Sequence, residues 1–201
     1  MTLRSTPPYR IRQQGMSLVI VLILLATTMI LGVGAVQLSM MSERSARNDR
    51  DYQVAWQASE AALRDAEPDI DVTNAGTSTR AALFTTDNAM SFATGCSSSG
   101  TTKGLCLPSL SGKPVWLEVD FSADNTPSVG FGSFTNQTFA TGDSGLRPRK
   151  APRYIIEQIE DTASRGDASI GREQKYVYRI TAMGFGPRDD IQAVTQSIYR
   201  K

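Results

Sequence analysis

Few residues in this chain have the types and spacing that chemistry requires. None of its 201 residues is a histidine, which removes Ser-His-Asp and Cys-His nucleophiles and every His-ligated metal site. Its two cysteines, Cys96 and Cys106, cannot build a four-cysteine zinc site, and their spacing is no CxxC redox motif. Outside the cytoplasm such a pair forms a disulfide, and closing a loop of about ten residues contributes on the order of 2.5–3 kcal/mol. Asp69-Ile70-Asp71 and Asp189-Asp190 are tight acidic clusters without calcium-loop spacing, and both read as solvated turns. Arg147, Arg149, Lys150 and Arg153 form a basic run free of acids. Such a run could touch DNA, but no aromatic side chains interleave with it for base stacking. It reads instead as a solvated lead-in to a strand, so nucleic acid is not an expected partner. There is no glycine-rich phosphate loop and no nucleophile elbow. The expectation is a protein without catalysis, metal or cofactor.

The elements explain what the chain does instead. Lys+Arg is 21 and Asp+Glu is 20, a balance that gives no support to a broadly basic or acidic binder. The average hides a division. Met16–Val36 reads MSLVIVLILLATTMILGVGAV without one charge. As a helix it spans roughly 32 Å, close to a hydrocarbon core of about 30 Å. A soluble core helix would need apolar neighbours on every side, which so polar a remainder does not supply. Arg4, Arg10 and Arg12 precede it without an acid, which places the N-terminus in the cytoplasm and the remainder beyond the membrane. A cleaved secretory signal is the rival reading, but its apolar region runs about 7–15 residues.

From Gln37 to Glu67 there is no proline or glycine, so the spacing predicts one helix over Met16–Glu67, on the order of 78 Å long, ending at Pro68. Leu38, Met41, Ser45, Tyr52, Ala55/Trp56, Ser59, Ala62/Leu63 and Ala66 recur near a 3.5-residue period. Trp56 is therefore expected in the core. Gly32 and Gly34 are the weakest helical positions. A globular domain laid on the second half of the helix would complete a lollipop.

Residues 69–114 read as loop with a short helix near Ser78–Phe84. Four strands are expected, at Pro114–Phe121, Tyr154–Ile159, Lys175–Ala182 and Ile191–Tyr199, the last two joined as a hairpin around Gly184–Asp190. The predicted fold is α+β: a long N-terminal helix packed on a four-stranded antiparallel meander.

The polar leader ending in Gly15, followed by an apolar helix from Met16, resembles a type IV prepilin signal. The order Gln57–Arg64 (QASEAALR), Gly104-Leu105-Cys106 with Pro108, Pro114–Trp116, Pro152–Glu157, Tyr178–Ala182 with Gly184 and Gly186, and Gln196–Arg200 is similar to the PilX-type minor pilins of Gram-negative type IV pili. The resemblance covers nearly all of the chain. It implies a pilin fold, cleavage by a prepilin peptidase after Gly15, and N-methylation of Met16. It also implies a role in pilus assembly, with other minor pilins, the major pilin and a tip adhesin as partners. Most pilins carry Glu at the fifth mature position, which here is Ile20. Its absence is similar to the subunits that sit at or near a filament tip.

The expected organisation is a leader at 1–15, a transmembrane and filament-core segment at 16–36, an amphipathic half-helix at 37–67 and a periplasmic globular domain at 68–201. The subunit would wait in the inner membrane and then join the filament. Loss of 1–15 removes three arginines and leaves 18 basic against 20 acidic side chains, so the basic excess is a topology signal. Two alternatives remain: a tip pseudopilin of a type II secretion system, and a bitopic inner-membrane protein with a periplasmic binding domain.

Overall fold

The computed structural model describes residues 16–72, 78–84, 89–142, 145–161 and 176–201. The chain divides into two compact units, the first ending at Arg47 and the second spanning Asn48–Lys201. Helix α1, Met16–Ile70, supplies all of the described first unit and the opening segment of the second.

The predicted helix is present and Gly32 and Gly34 lie within it. It runs past Pro68 to Ile70, where a stop at Glu67 is expected. Two contacts outweigh the proline's local cost. Ile70 is fully buried in the core and Asp69 is fully buried in an ion pair. The Asp71 amide still donates to the Glu67 carbonyl at 3.0 Å. Lys201 at the chain end reaches back, its Nζ donating to the carbonyls of Ile70 at 3.4 Å and Phe84 at 3.2 Å. A cation there complements the negative end of the helix.

In the second unit the strands are β1 (Ala93–Thr94), β2 (Leu105–Leu107), β3 (Val129–Gly130), β4 (Arg153–Glu160), β5 (Tyr176–Phe185) and β6 (Gln192–Tyr199). They form one mixed sheet in the order β1-β2-β4-β5-β6, with β3 beside β4. β4, β5 and β6 are an antiparallel meander, as expected. The remainder corrects the all-antiparallel expectation: β1 pairs with β2, and β2 with β4, in parallel. These are pieces of two or three residues, too short to carry a periodic signal.

The strand expected at Pro114–Phe121 is instead a short helix, α2 (Val115–Glu118). Val115, Trp116 and Val119 pack together with buried Phe121, while Leu117 is 56% exposed. The i, i+1, i+4 spacing wins over the alternating one because this segment covers a face of the sheet and does not extend its edge. The helix expected near Ser78–Phe84 is a single 3-10 turn, Ala81–Leu83.

The sheet therefore has two cores. On one face Tyr154, Ile156, Tyr178, Ile180 and Ala182 meet Ala62, Leu63, Ala66 and Ile70 of α1, joined by Phe84 and Phe92. On the other, Ile155 packs with Cys106, Val115 and Phe121. Covered on both sides, β4 is buried continuously from Tyr154 to Gln158, so it does not alternate. The α1 face toward the sheet is built of small residues, Ala55, Ala58, Ser59, Ala62 and Ala66, which lets helix and sheet approach closely.

Candidate assembly surfaces

The first candidate surface is the apolar half of α1. Every large apolar side chain from Met16 to Met41 is at least half exposed within the isolated chain, and the first charge after Met16 is Glu43, which pairs with Arg47 one turn on at 2.5 Å. Thr27 and Thr28 turn their hydroxyls onto the Leu24 and Leu25 carbonyls at 2.9 and 3.0 Å. They thus satisfy themselves without water. Met29, Gly32, Val33, Val36, Gln37 and Met40 line a shallow notch on this helix, and nothing lies within 4 Å of where a Cβ on Gly32 or Gly34 would stand. Small residues at such a notch permit close helix–helix approach in lipid, where van der Waals fit drives association. Met16 opens the helix, and Ile20 is 54% exposed on it. Gly15 and the leader lie outside the described residues.

The globular unit is held by a buried polar cluster at the end of α1. Arg80 forms an ion pair with Asp69, both side chains fully buried; its Nε donates to Asp69 Oδ1 at 2.8 Å. Its other amine reaches the carbonyls of Thr101 at 3.1 Å and Lys103 at 2.5 Å, and the guanidinium sits 3.8 Å from the Phe134 ring centroid. Tyr154 Oη donates to Asp69 Oδ2 at 2.8 Å. Burial, reinforced by the Asp69 charge, pushes the Tyr154 hydroxyl well above its ordinary range. Asp69 is therefore a buried anchor, which corrects its reading as a solvated turn. Sequence could not pair it with an arginine eleven positions on, across a stretch that reads as loop.

Asp65, one turn earlier on α1, accepts from the Gly132 amide at 2.7 Å and from the Thr135 hydroxyl, and so fixes the turn after β3. Burial raises its carboxyl above the usual range, against the lowering effect of those two bonds. Cys96 and Cys106 form a disulfide that ties the turn after β1 to β2.

The remaining sequence candidates stay apart. Asp189 and Asp190 are exposed in the β5–β6 turn, paired with Arg149 and Arg188. The basic run is dispersed, because Arg149 is drawn to Asp189 and Arg153 bonds Ser128 Oγ at 2.8 Å and lies 3.5 Å from Asp124. Trp56 is 45% exposed on the outer face of α1 beside Phe131, Glu60 and Arg64, which corrects its assignment to the core. The face turned to the sheet is too close for a large ring.

Residues 14–64 match the family described as PilX N-terminal, and residues 41–201 match the one described as type IV pilus assembly protein PilX C-term. No curated protein and no solved structure matches. The matched stretches overlap within α1 and together take in the apolar helix, the buried cluster and the whole sheet. The chain belongs to the PilX family of type IV pilus assembly proteins.

Proposed function

We propose that this chain is a minor pilin that primes type IV pilus assembly and is incorporated at or near the filament tip. Residues 16–36 hold it in the inner membrane with residues 1–15 in the cytoplasm and the domain of 68–201 in the periplasm. Prepilin peptidase cuts after Gly15, and the new terminus at Met16 is methylated. On extraction the apolar helix exchanges lipid for the helices of other minor pilins and the major pilin, and the domain contacts its neighbours and a tip adhesin. The work is packing, and no reaction is assigned to it.

One observation carries this reading: an uncharged helix that, among the described residues, has no covered face over Met16–Met41, in a chain of a pilus assembly family. Such a surface is stable only in lipid or against other apolar helices. Ile20 supports the tip position. A glutamate near the start of the helix serves to neutralise a neighbouring subunit's amine, and a subunit with none above it has no use for one.

The test is processing. Gly15→Trp should leave the leader attached, so that the chain runs about 15 residues larger on a gel and is absent from pili. A Gly15→Trp chain of processed size would contradict the proposal.

A further inference from the structure

The sheet ends on two edges of unequal kind. β1 is two residues long, whereas β6 presents eight, Gln192–Tyr199, and among the described residues no strand pairs with its outer side. The hairpin fixes which groups face outward. Gly186 donates its amide to the Ile191 carbonyl at 2.8 Å, which makes 186 and 191 a hydrogen-bonded pair, and the ladder alternates from there. In the observed register, Ala193, Thr195, Ser197 and Tyr199 face β5 with their amides and carbonyls. Gln192, Val194, Gln196 and Ile198 turn theirs away from it.

Natural sheets guard such edges with lysine, proline, bulges or a covering segment. Residues 192–199 contain no charge and no proline, and the register with β5 runs unbroken for eight pairs. No backbone group among the described residues bonds the outward amides or carbonyls of 192, 194, 196 and 198. The side chains leave the edge open too. Gln196 is drawn inward, its Nε2 donating to Thr181 Oγ1 at 3.0 Å, and Gln192 is held by the Asp189 carbonyl at 3.0 Å. Val194 and Ile198 are 42% and 68% exposed. The nearby charges are already matched. Arg179, which pairs in register with Ile198, bonds Glu157 at 2.9 and 2.7 Å, and Arg188 and Arg200 pair with Asp190 and Asp161.

We infer that the outer edge of β6 is a docking site for an extended strand of another pilus protein, added to the sheet by main-chain hydrogen bonds. The backbone groups left open among the described residues select an extended chain, and the neutral surroundings select a segment uncharged over four or five residues. The exposed Val194 and Ile198 select apolar side chains at alternate positions beside them. That the partner is a pilus protein rests on the function proposed above; the chemistry of the edge does not.

Residue-resolved amide exchange tests this on the full-length chain in mild detergent, alone and co-purified with the other minor pilins and the major pilin of the same pilus. The amides of Ala193, Thr195 and Ser197 should exchange slowly in both samples. Those of Val194, Gln196 and Ile198 should be fast in the chain alone and slow by ~100-fold or more in the assembly. Two variants complete the test. Gln196→Pro removes an outward donor without removing a main-chain bond to β5, losing only the side-chain bond to Thr181, and Val194→Lys places a charge on the edge. Both should keep the wild-type circular dichroism and lose at least ~10-fold in affinity for the assembly. Outward amides that stay fast, an assembly that does not form with the wild-type chain, or variants that join it as wild type does would overturn the inference. So would protection that grows with concentration in the chain alone, since that would assign the edge to self-pairing. If the chain is cut after Gly15 and recovered in pili while these amides stay fast, the edge fails and the pilin reading stands. An uncut chain absent from pili fails the pilin reading itself.

Discussion

Gly184 of β5 lies directly against the backbone of Ala55 in α1. A Cβ on Gly184 would overlap the Ala55 carbonyl oxygen and the Ser59 amide nitrogen, and would stand 2.9 Å from the Ala58 carbonyl carbon. The obstacle is helix backbone, which cannot rotate aside as a side chain can. This contact sets how closely the helix seats on the sheet, and it explains why α1 turns alanine and serine inward here while Trp56 faces out.

Gly184→Ala should therefore push helix and sheet apart. The cost expected from overpacking against backbone is about 3 kcal/mol or more, read as a lower urea midpoint for the full chain in detergent. A midpoint within error of wild type would show that the seam can open freely.

The Asp69–Arg80 pair makes a sharper comparison. Arg80→Met strands a fully buried carboxylate and should cost about 3–5 kcal/mol. Asp69→Asn combined with Arg80→Met leaves neither charge of this pair stranded and should melt higher than Arg80→Met alone. A double variant less stable than the single one would mean that the guanidinium acts mainly through the Thr101 and Lys103 carbonyls and the Phe134 ring.

Asp65 predicts a pH dependence of defined sign. Burial raises its carboxyl in the folded chain above its ordinary 3.8, so the folded state binds the proton more tightly than the unfolded one. Its stabilising contribution is fully present below 3.8 and is lost as pH rises through the raised folded value. Asp65→Asn does not titrate. The stability of wild type relative to Asp65→Asn should fall across that window when denaturant midpoints are compared at each pH. A difference that is flat, or that rises with pH, would contradict the assignment.

The disulfide closes a ten-residue separation, for which loop closure gives about 2.5–3 kcal/mol. Replacing Cys96 and Cys106 together by alanine should lower unfolding free energy by that amount, and reductant should then have no further effect. An unchanged midpoint would mean that Arg80, through the Thr101 and Lys103 carbonyls, holds the loop without the bond.

The long helix, the β4–β6 meander and the cysteine pair were legible because each carries its signal within a short window: an uncharged run, alternation bounded by turn residues, and two cysteines in a chain without histidine. Other features depend on partners distant in sequence. Asp69 reads as a turn residue until Arg80 folds back over it. Val115–Phe121 alternates as a strand does, and only its place on the outer face of the sheet makes it a helix. Trp56 follows the helical period of the core, but Gly184 brings the sheet too near for a ring.

Whether the chain is a processed subunit of the filament is decided by the intact mass of the protein recovered from sheared pili. That protein should have lost residues 1–15, begin with a methylated Met16 and retain the Cys96–Cys106 disulfide. A chain that keeps Met1 and is found only in the membrane fraction would contradict it.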